Sequence, residues 1–179
     1  MNVRHGLGLA LSLLAALSSA AGAQGLGVSG GPAVPLGAVG EHRAVGVRGQ
    51  LSAHSPGGLL RADLGAVLLP GVAEAGEDTW RTGDWRSVSL AGSVLPLFWR
   101  SESLEVRGLV GISAHRMSIP RVENPYGTVP GVQLGMVWAR PRDGHTLTVE
   151  AGLHAVLSDY GVDEMGVSGS LPLLVGIRW

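Results

Sequence analysis

A carboxylate and an imidazole stand four residues apart in Glu150-Ala-Gly-Leu-His154. On an extended strand, where side chains alternate between faces, that spacing puts both on one side. A histidine base oriented by a carboxylate is what a hydroxyl nucleophile needs for acyl transfer. No nucleophile follows, since position 156 is Val. Thiol chemistry is excluded because the chain has no Cys, which also removes disulfides and thiolate zinc sites. Acidic residues gather at Glu74, Glu77, Asp78 and Asp84, and again at Asp159, Asp163 and Glu164. Hard oxygen ligands suit calcium, but the spacing is that of solvated loop charge and matches no known calcium loop. His42, His54, His115 and His145 are scattered and form no metal-spaced pair. The glycines form no phosphate loop, because no strand leads through them into a helix. The sequence therefore assigns no catalytic residue, no cofactor and no metal.

The charges set further limits. Thirteen basic residues, all Arg, face 14 acidic ones for a net charge of -1, which is no electrostatic footprint for nucleic acid. Only 15% of residues are charged while 45% are hydrophobic and 29 are Gly, among 179 in all. That is too apolar for a disordered chain, and the length suits one domain. Past residue 23 no apolar run is long enough for a membrane helix. Residues 1–23 have a basic start at Arg4, an apolar stretch from Leu7 to Leu17 and a small-residue end, Ala21-Gly22-Ala23. This pattern predicts a secretory signal peptide cleaved after Ala23, with residues 24–179 as the mature domain. No lipidation Cys follows it.

From Gln24 onward the hydrophobic pattern has period two, bounded by Gly, Pro, Asp and Asn. It predicts eight strands near residues 25–36, 43–53, 58–69, 86–99, 104–116, 128–139, 145–157 and 169–179. Most exceed the usual five or six residues of soluble sheets. Ten residues rise roughly 33 Å, and a tilt of about 40° leaves a height near 25 Å, that of an outer-membrane apolar band. The connections alternate: His54–Gly57, Arg100–Ser103 and Arg140–Gly144 are short, whereas 70–85, 117–127 and 158–168 are long. Short turns on one rim and long loops on the other belong to an up-and-down barrel with both termini at the short-turn, periplasmic side.

Within strands the two faces differ. Leu104, Val106, Gly108, Val110, Ile112 and Ala114 alternate with Glu105, Arg107, Leu109, Gly111, Ser113 and His115. The same split recurs around Arg48, around Arg61 and Asp63, around Glu150 and His154, and around Arg178. Either the charges line a lumen and the apolar face meets lipid, or the barrel is soluble and lipocalin-like with an apolar ligand inside. About seven charged side chains over eight strands is sparse for a solvated surface. Inside a barrel, Arg48, Arg61, Arg107 and Arg178 can pair with Asp63, Glu105 and Glu150, as buried charges must. The lipid-facing arrangement is preferred, and His154 joins this lumen network. Phe98, Trp138 and Trp179 fall on the apolar parity at the short-turn ends of strands, as an interfacial girdle would. Trp99 has inward parity and is expected to cap the lumen; Trp80 and Trp85 are expected in or beside a loop.

The final stretch, Leu171-Pro-Leu-Leu-Val-Gly-Ile-Arg-Trp179, alternates hydrophobics through Val175 and Ile177 to a terminal aromatic, and resembles the recognition signal of outer-membrane barrels. The start, Gly25-Leu-Gly-Val-Ser-Gly-Gly-Pro-Ala-Val-Pro-Leu-Gly37, resembles the glycine-rich first strand of the small outer membrane protein beta-barrel domain family. The resemblance spans the mature chain as a pattern and implies an eight-stranded OmpA-like or OmpX-like architecture. It also implies a place in the outer membrane of the cell envelope, surrounded by lipid and inserted by the barrel assembly machinery. One Phe and two Tyr make the girdle thinner than such barrels usually show. A second comparison fails: outer-membrane lipid A deacylases place Ser two residues after the catalytic His and face it to lipid, whereas here Val156 follows and His154 has the charged parity.

The expected protein is thus an all-β, eight-stranded antiparallel transmembrane β-barrel, its lumen filled by side chains. It is expected to be no general porin and no enzyme. Its expected role is structural, adhesion or surface binding, through loops 70–85, 117–127 and 158–168 and an external ligand the sequence does not name. The alternative is a secreted or periplasmic lipocalin-like barrel.

Overall fold

A computed structural model describes residues 25–37, 43–71, 84–118, 128–158 and 166–179. The predicted signal peptide and the bodies of the three long loops lie outside these residues. Nine strand segments appear in chain order: β1 (Gly25–Leu36), β2 (Gly46–His54), β3 (Leu60–Leu69), β4 (Trp85–Val94), β5 (Leu97–Arg100), β6 (Glu105–Ser118), β7 (Thr128–Arg142), β8 (His145–Ser158) and β9 (Gly166–Arg178). Each pairs antiparallel with its neighbour, β1 also pairs with β9, and β4 pairs with β6. The sheet therefore closes on itself through β1–β9 and β4–β6.

Nine segments make eight staves, because β4 and β5 are one predicted strand broken at Leu95-Pro96. Proline has no N–H to give the ladder. Its carbonyl still accepts from Gly108 N (2.9 Å), and Leu95 N donates sideways to Leu59 O (2.7 Å). Both segments lie along β6. A hydrogen-bonded row followed from Val106 on β6 through every stave returns to β6 at Arg116, ten residues away. A stagger of that size over eight strands corresponds to a tilt of about 40°.

The other boundaries shift by a few residues. β2 begins at Gly46 rather than 43, β7 runs on to Arg142, and β9 starts at Gly166. The β7–β8 hairpin closes with two residues, Asp143-Gly144, since Arg142 and His145 are still paired. Gly144 there has φ 76°, the left-handed conformation such tight turns demand.

The alternation of faces is carried through the barrel. Val28, Val47, Leu51, Val88, Val110, Ile112, Leu134, Leu173 and Val175 are exposed on the outside. Arg48, Gln50, Arg61, Asp63, Arg107, His115, Gln133, Glu150 and His154 are buried inside. An exposed apolar surface wrapped round a buried polar interior is the reverse of a water-soluble barrel and matches a hydrocarbon surrounding. Between the rims no described residue on the outward face is charged; Arg86 and Arg116 stand near the long-loop rim and Arg140 near the other, while Arg100 and Arg142 border the short-turn mouth.

The interior is not uniformly polar. Ala33, Val67, Leu69, Trp85, Met117 and Val156 form an apolar cluster toward the long-loop end, and Leu95, Leu109 and Val137 a second one toward the short turns. Trp85, expected in or beside a loop, opens β4 with its ring inside the first cluster, 2% exposed.

Candidate functional site: the filled lumen and its two rims

Arg61 organises the interior. Its Nε donates to Asp63 Oδ2 at 2.8 Å, two residues along β3, while its terminal nitrogens reach across the lumen to both carboxylate oxygens of Glu150 on β8. All three side chains are buried. A guanidinium fork matched to two carboxylates satisfies charge and hydrogen bonds together, which is what burial of these groups requires. His154 Nε2 lies 3.7 Å from Glu150 Oε1, within ion-pair range but beyond hydrogen-bond reach. Arg48 joins by donating to Ser89 Oγ at 3.3 Å. Its room comes from Gly65, where a Cβ would sit 2.6 Å from an Arg48 terminal nitrogen.

The predicted lumen residues thus divide into two groups. Arg48, Arg61, Asp63, Glu150 and His154 surround the interior. Glu105, Arg107 and Arg178 gather at the short-turn mouth instead. Glu105 accepts from Arg107 at 3.1 Å and from Arg100 at 2.8 Å. Arg107 also donates to the carbonyls of Gly57 (2.9 Å), Gly58 (3.2 Å) and Leu95 (3.3 Å), so it ties the β2–β3 turn across the barrel end. Arg178 forms no ion pair within 4 Å among the described residues; its guanidinium stands beside the Gly58 turn. The space left between Arg61, Glu150 and Arg107 is about 20 Å³, room for one water.

Three hydroxyl–imidazole contacts bear on the hydrolase question, one of them between Ser52 Oγ and His54 Nε2 at 3.1 Å. Ser113 Oγ lies 2.8 Å from His115 Nε2, and Ser87 Oγ 3.3 Å from Nδ1 on the same ring. No carboxylate takes part. Ser170 lies opposite His154 in the β8–β9 register, a serine that local spacing around His154 could not reveal. Neither His154 nitrogen has a hydrogen-bond partner, and Ser170 and His154 are 3% and 2% exposed. Ser170 and His154 are thus both closed off from solvent, with no hydrogen bond between them among the described residues.

On the outside, Phe98 and Trp179 are 64% and 61% exposed at the short-turn rim, Trp138 is half-buried, and Val175 and Ile177 are exposed along β9. Trp99 corrects the sequence reading: it is 52% exposed rather than folded into the lumen. A register shift between Leu97 and Trp99 places Trp99 opposite Val106, an outward position, so the parity count fails by one. Phe98 lies over Gly108, where a Cβ would come 2.8 Å from the ring.

Closed staves, an apolar exterior, a side-chain-filled interior and a rim of aromatics define a small transmembrane barrel of the bacterial outer-membrane type. No family model and no curated protein matches this sequence. Among solved structures, the chain is similar to Neisserial surface protein A, with TM-score 0.59 and 15% identity over 86% of this chain and 94% of that one. It also aligns with a major outer membrane protein from Thermus thermophilus (TM-score 0.49, 16% identity, 87% and 98% covered). A third alignment is with Ail, the attachment invasion locus protein of Yersinia pestis (TM-score 0.46, 14% identity, 87% and 98% covered). At this identity the first likeness speaks to the fold.

Proposed function

We propose that this protein is an exported outer-membrane surface protein whose closed barrel carries loops 70–85, 117–127 and 158–168 as its working face. The observation that carries the reading is the Arg61–Asp63–Glu150 cluster, which with the two apolar clusters leaves about 20 Å³ in the lumen beside it. A filled lumen gives a general porin no path, so binding falls to what the barrel presents at its rims. In this reading residues 1–23 direct export and are removed after Ala23. Val175, Ile177 and Trp179 present the final strand to the barrel assembly machinery, and the long loops meet an external adhesion partner. The fold itself supplies the lipid-facing surface.

Intact cells treated with trypsin test the topology. Cleavage after Arg81 and Arg121, inside two of the long loops, is expected from outside, with the strands left protected. Protection of both sites in intact cells and cleavage only after lysis would reverse the reading. Planar bilayers holding the purified barrel should show no porin-sized conductance; steady open channels would refute the closed lumen.

A further inference from the structure

The short-turn mouth is a pocket of about 370 Å³ lined by Arg100, Arg107, Arg142 and Arg178. Glu105 is the one acidic side chain among its lining residues, and both Arg100 and Arg107 already share it. Arg142 and Arg178 make no ion pair within 4 Å among the described residues, so two guanidiniums face the cavity uncommitted. Four arginines against Glu105 leave the lining positive by three. His54 adds a third open group: it is 7% exposed, its Nε2 contacts Ser52 Oγ, and its Nδ1 has no partner. The pocket is blind. Arg107 pins the Gly57–Gly58 turn over its inner end, and the gap on the far side, beside Arg61 and Glu150, holds about 20 Å³.

A dead-ended cavity with a surplus of guanidinium forks holds an oxyanion rather than passing one. We propose that this mouth is a binding site for a phosphate group, at the periplasmic side of the membrane. Phosphate fits better than a carboxylate because it brings up to two negative charges and several acceptor oxygens to two open guanidiniums. The pocket reaches Trp179, at the rim where tryptophans mark the headgroup level. A phospholipid headgroup and a soluble phosphate compound therefore share this chemistry as sources.

The test titrates sodium pyrophosphate, at constant ionic strength, into the full protein purified in a neutral detergent, with Trp fluorescence as readout. A saturable change is expected. The Arg142→Gln/Arg178→Gln double variant should weaken apparent affinity about ten-fold or more, as loss of two charge-assisted contacts does. Arg86→Gln/Arg116→Gln, at the opposite rim, should stay within about two-fold, since their charges lie several Debye lengths away. Arg142→Gln alone, at an exposed position, should still cost about three-fold if the double variant fails to fold. A non-saturable response, equal loss from both double variants, or an unchanged Arg142→Gln overturns the proposal. Nanodiscs of phosphatidylglycerol against phosphatidylcholine identify the source. Weaker pyrophosphate binding in the anionic discs marks the headgroup as resident ligand, and equal binding in both marks a soluble phosphate; either upholds the site.

Discussion

Arg61 and Arg178 both arise from inward positions of their strands, yet the barrel treats them oppositely. Arg61 is sealed among Asp63 and Glu150, with its donors committed. Arg178 is half-buried at the mouth, beside Arg107, in a cavity where cations outnumber anions. The difference follows from access to water. Deep in the lumen an unmatched guanidinium has no solvent to turn to, so it is kept only with matching carboxylates. Within reach of the aqueous phase the same group is hydrated and stays unpaired at little cost, available to a ligand.

The comparison breaks hardest at Arg61. Arg61→Leu leaves Asp63 and Glu150 buried together without the guanidinium that both of them bond, and a loss of roughly 3–5 kcal/mol is expected. Urea titration of the folded form, followed by its mobility on unheated gels, measures it. Removing the whole cluster sharpens the point: Arg61→Leu with Asp63→Asn and Glu150→Leu should recover much of that loss, because the desolvation penalty goes with the charges. Recovery no better than the single variant would show that the cluster stabilises by geometry rather than by matched charge.

Arg107 stands between the two regimes. Arg107→Ala removes the guanidinium that holds the two β2–β3 turn carbonyls, Gly57 and Gly58, together with Leu95 O, and leaves Glu105 with Arg100 alone. About 1.5–3 kcal/mol is expected, with faster hydrogen exchange at Gly57 and Gly58 as its local mark. Gly144→Ala should cost about 1 kcal/mol, since the two-residue hairpin needs a positive φ. Arg178→Gln lies at the other extreme: its expected effect on stability is within about 0.5 kcal/mol by the same gel assay. A large loss there would mean that the mouth, like the interior, depends on its charges to fold.

Much of the architecture was legible in the residues. The alternation around Arg48, Arg61, Arg107 and Glu150 put these residues on the buried face, because register in a half-buried sheet is dictated by period two. Trp99 is the exception: parity counting carries no information about a bulge, and the bulge sits just past Pro96, where the ladder lacks a donor. Trp85 stands beside a long loop as expected, but the burial of its ring is not legible at a loop boundary until its partners Leu69 and Met117 are known. The site was only half legible. Charge sign and facing were visible, but the split of eight residues into a sealed cluster and an open mouth depends on depth along each tilted stave.

The sequence by itself determined that strands form, how many staves there are, which face of each is apolar and which rim carries the short turns. Those properties are local, written in spacing and turn chemistry. Tertiary structure alone decided that β1 closes on β9, that Arg61 reaches Glu150 from 89 positions away, and that Arg142 meets Arg178 at a common mouth. Closure with a ten-residue stagger slides each strand against the next, so which inward side chains share a level is fixed by the whole ring and by no segment of it.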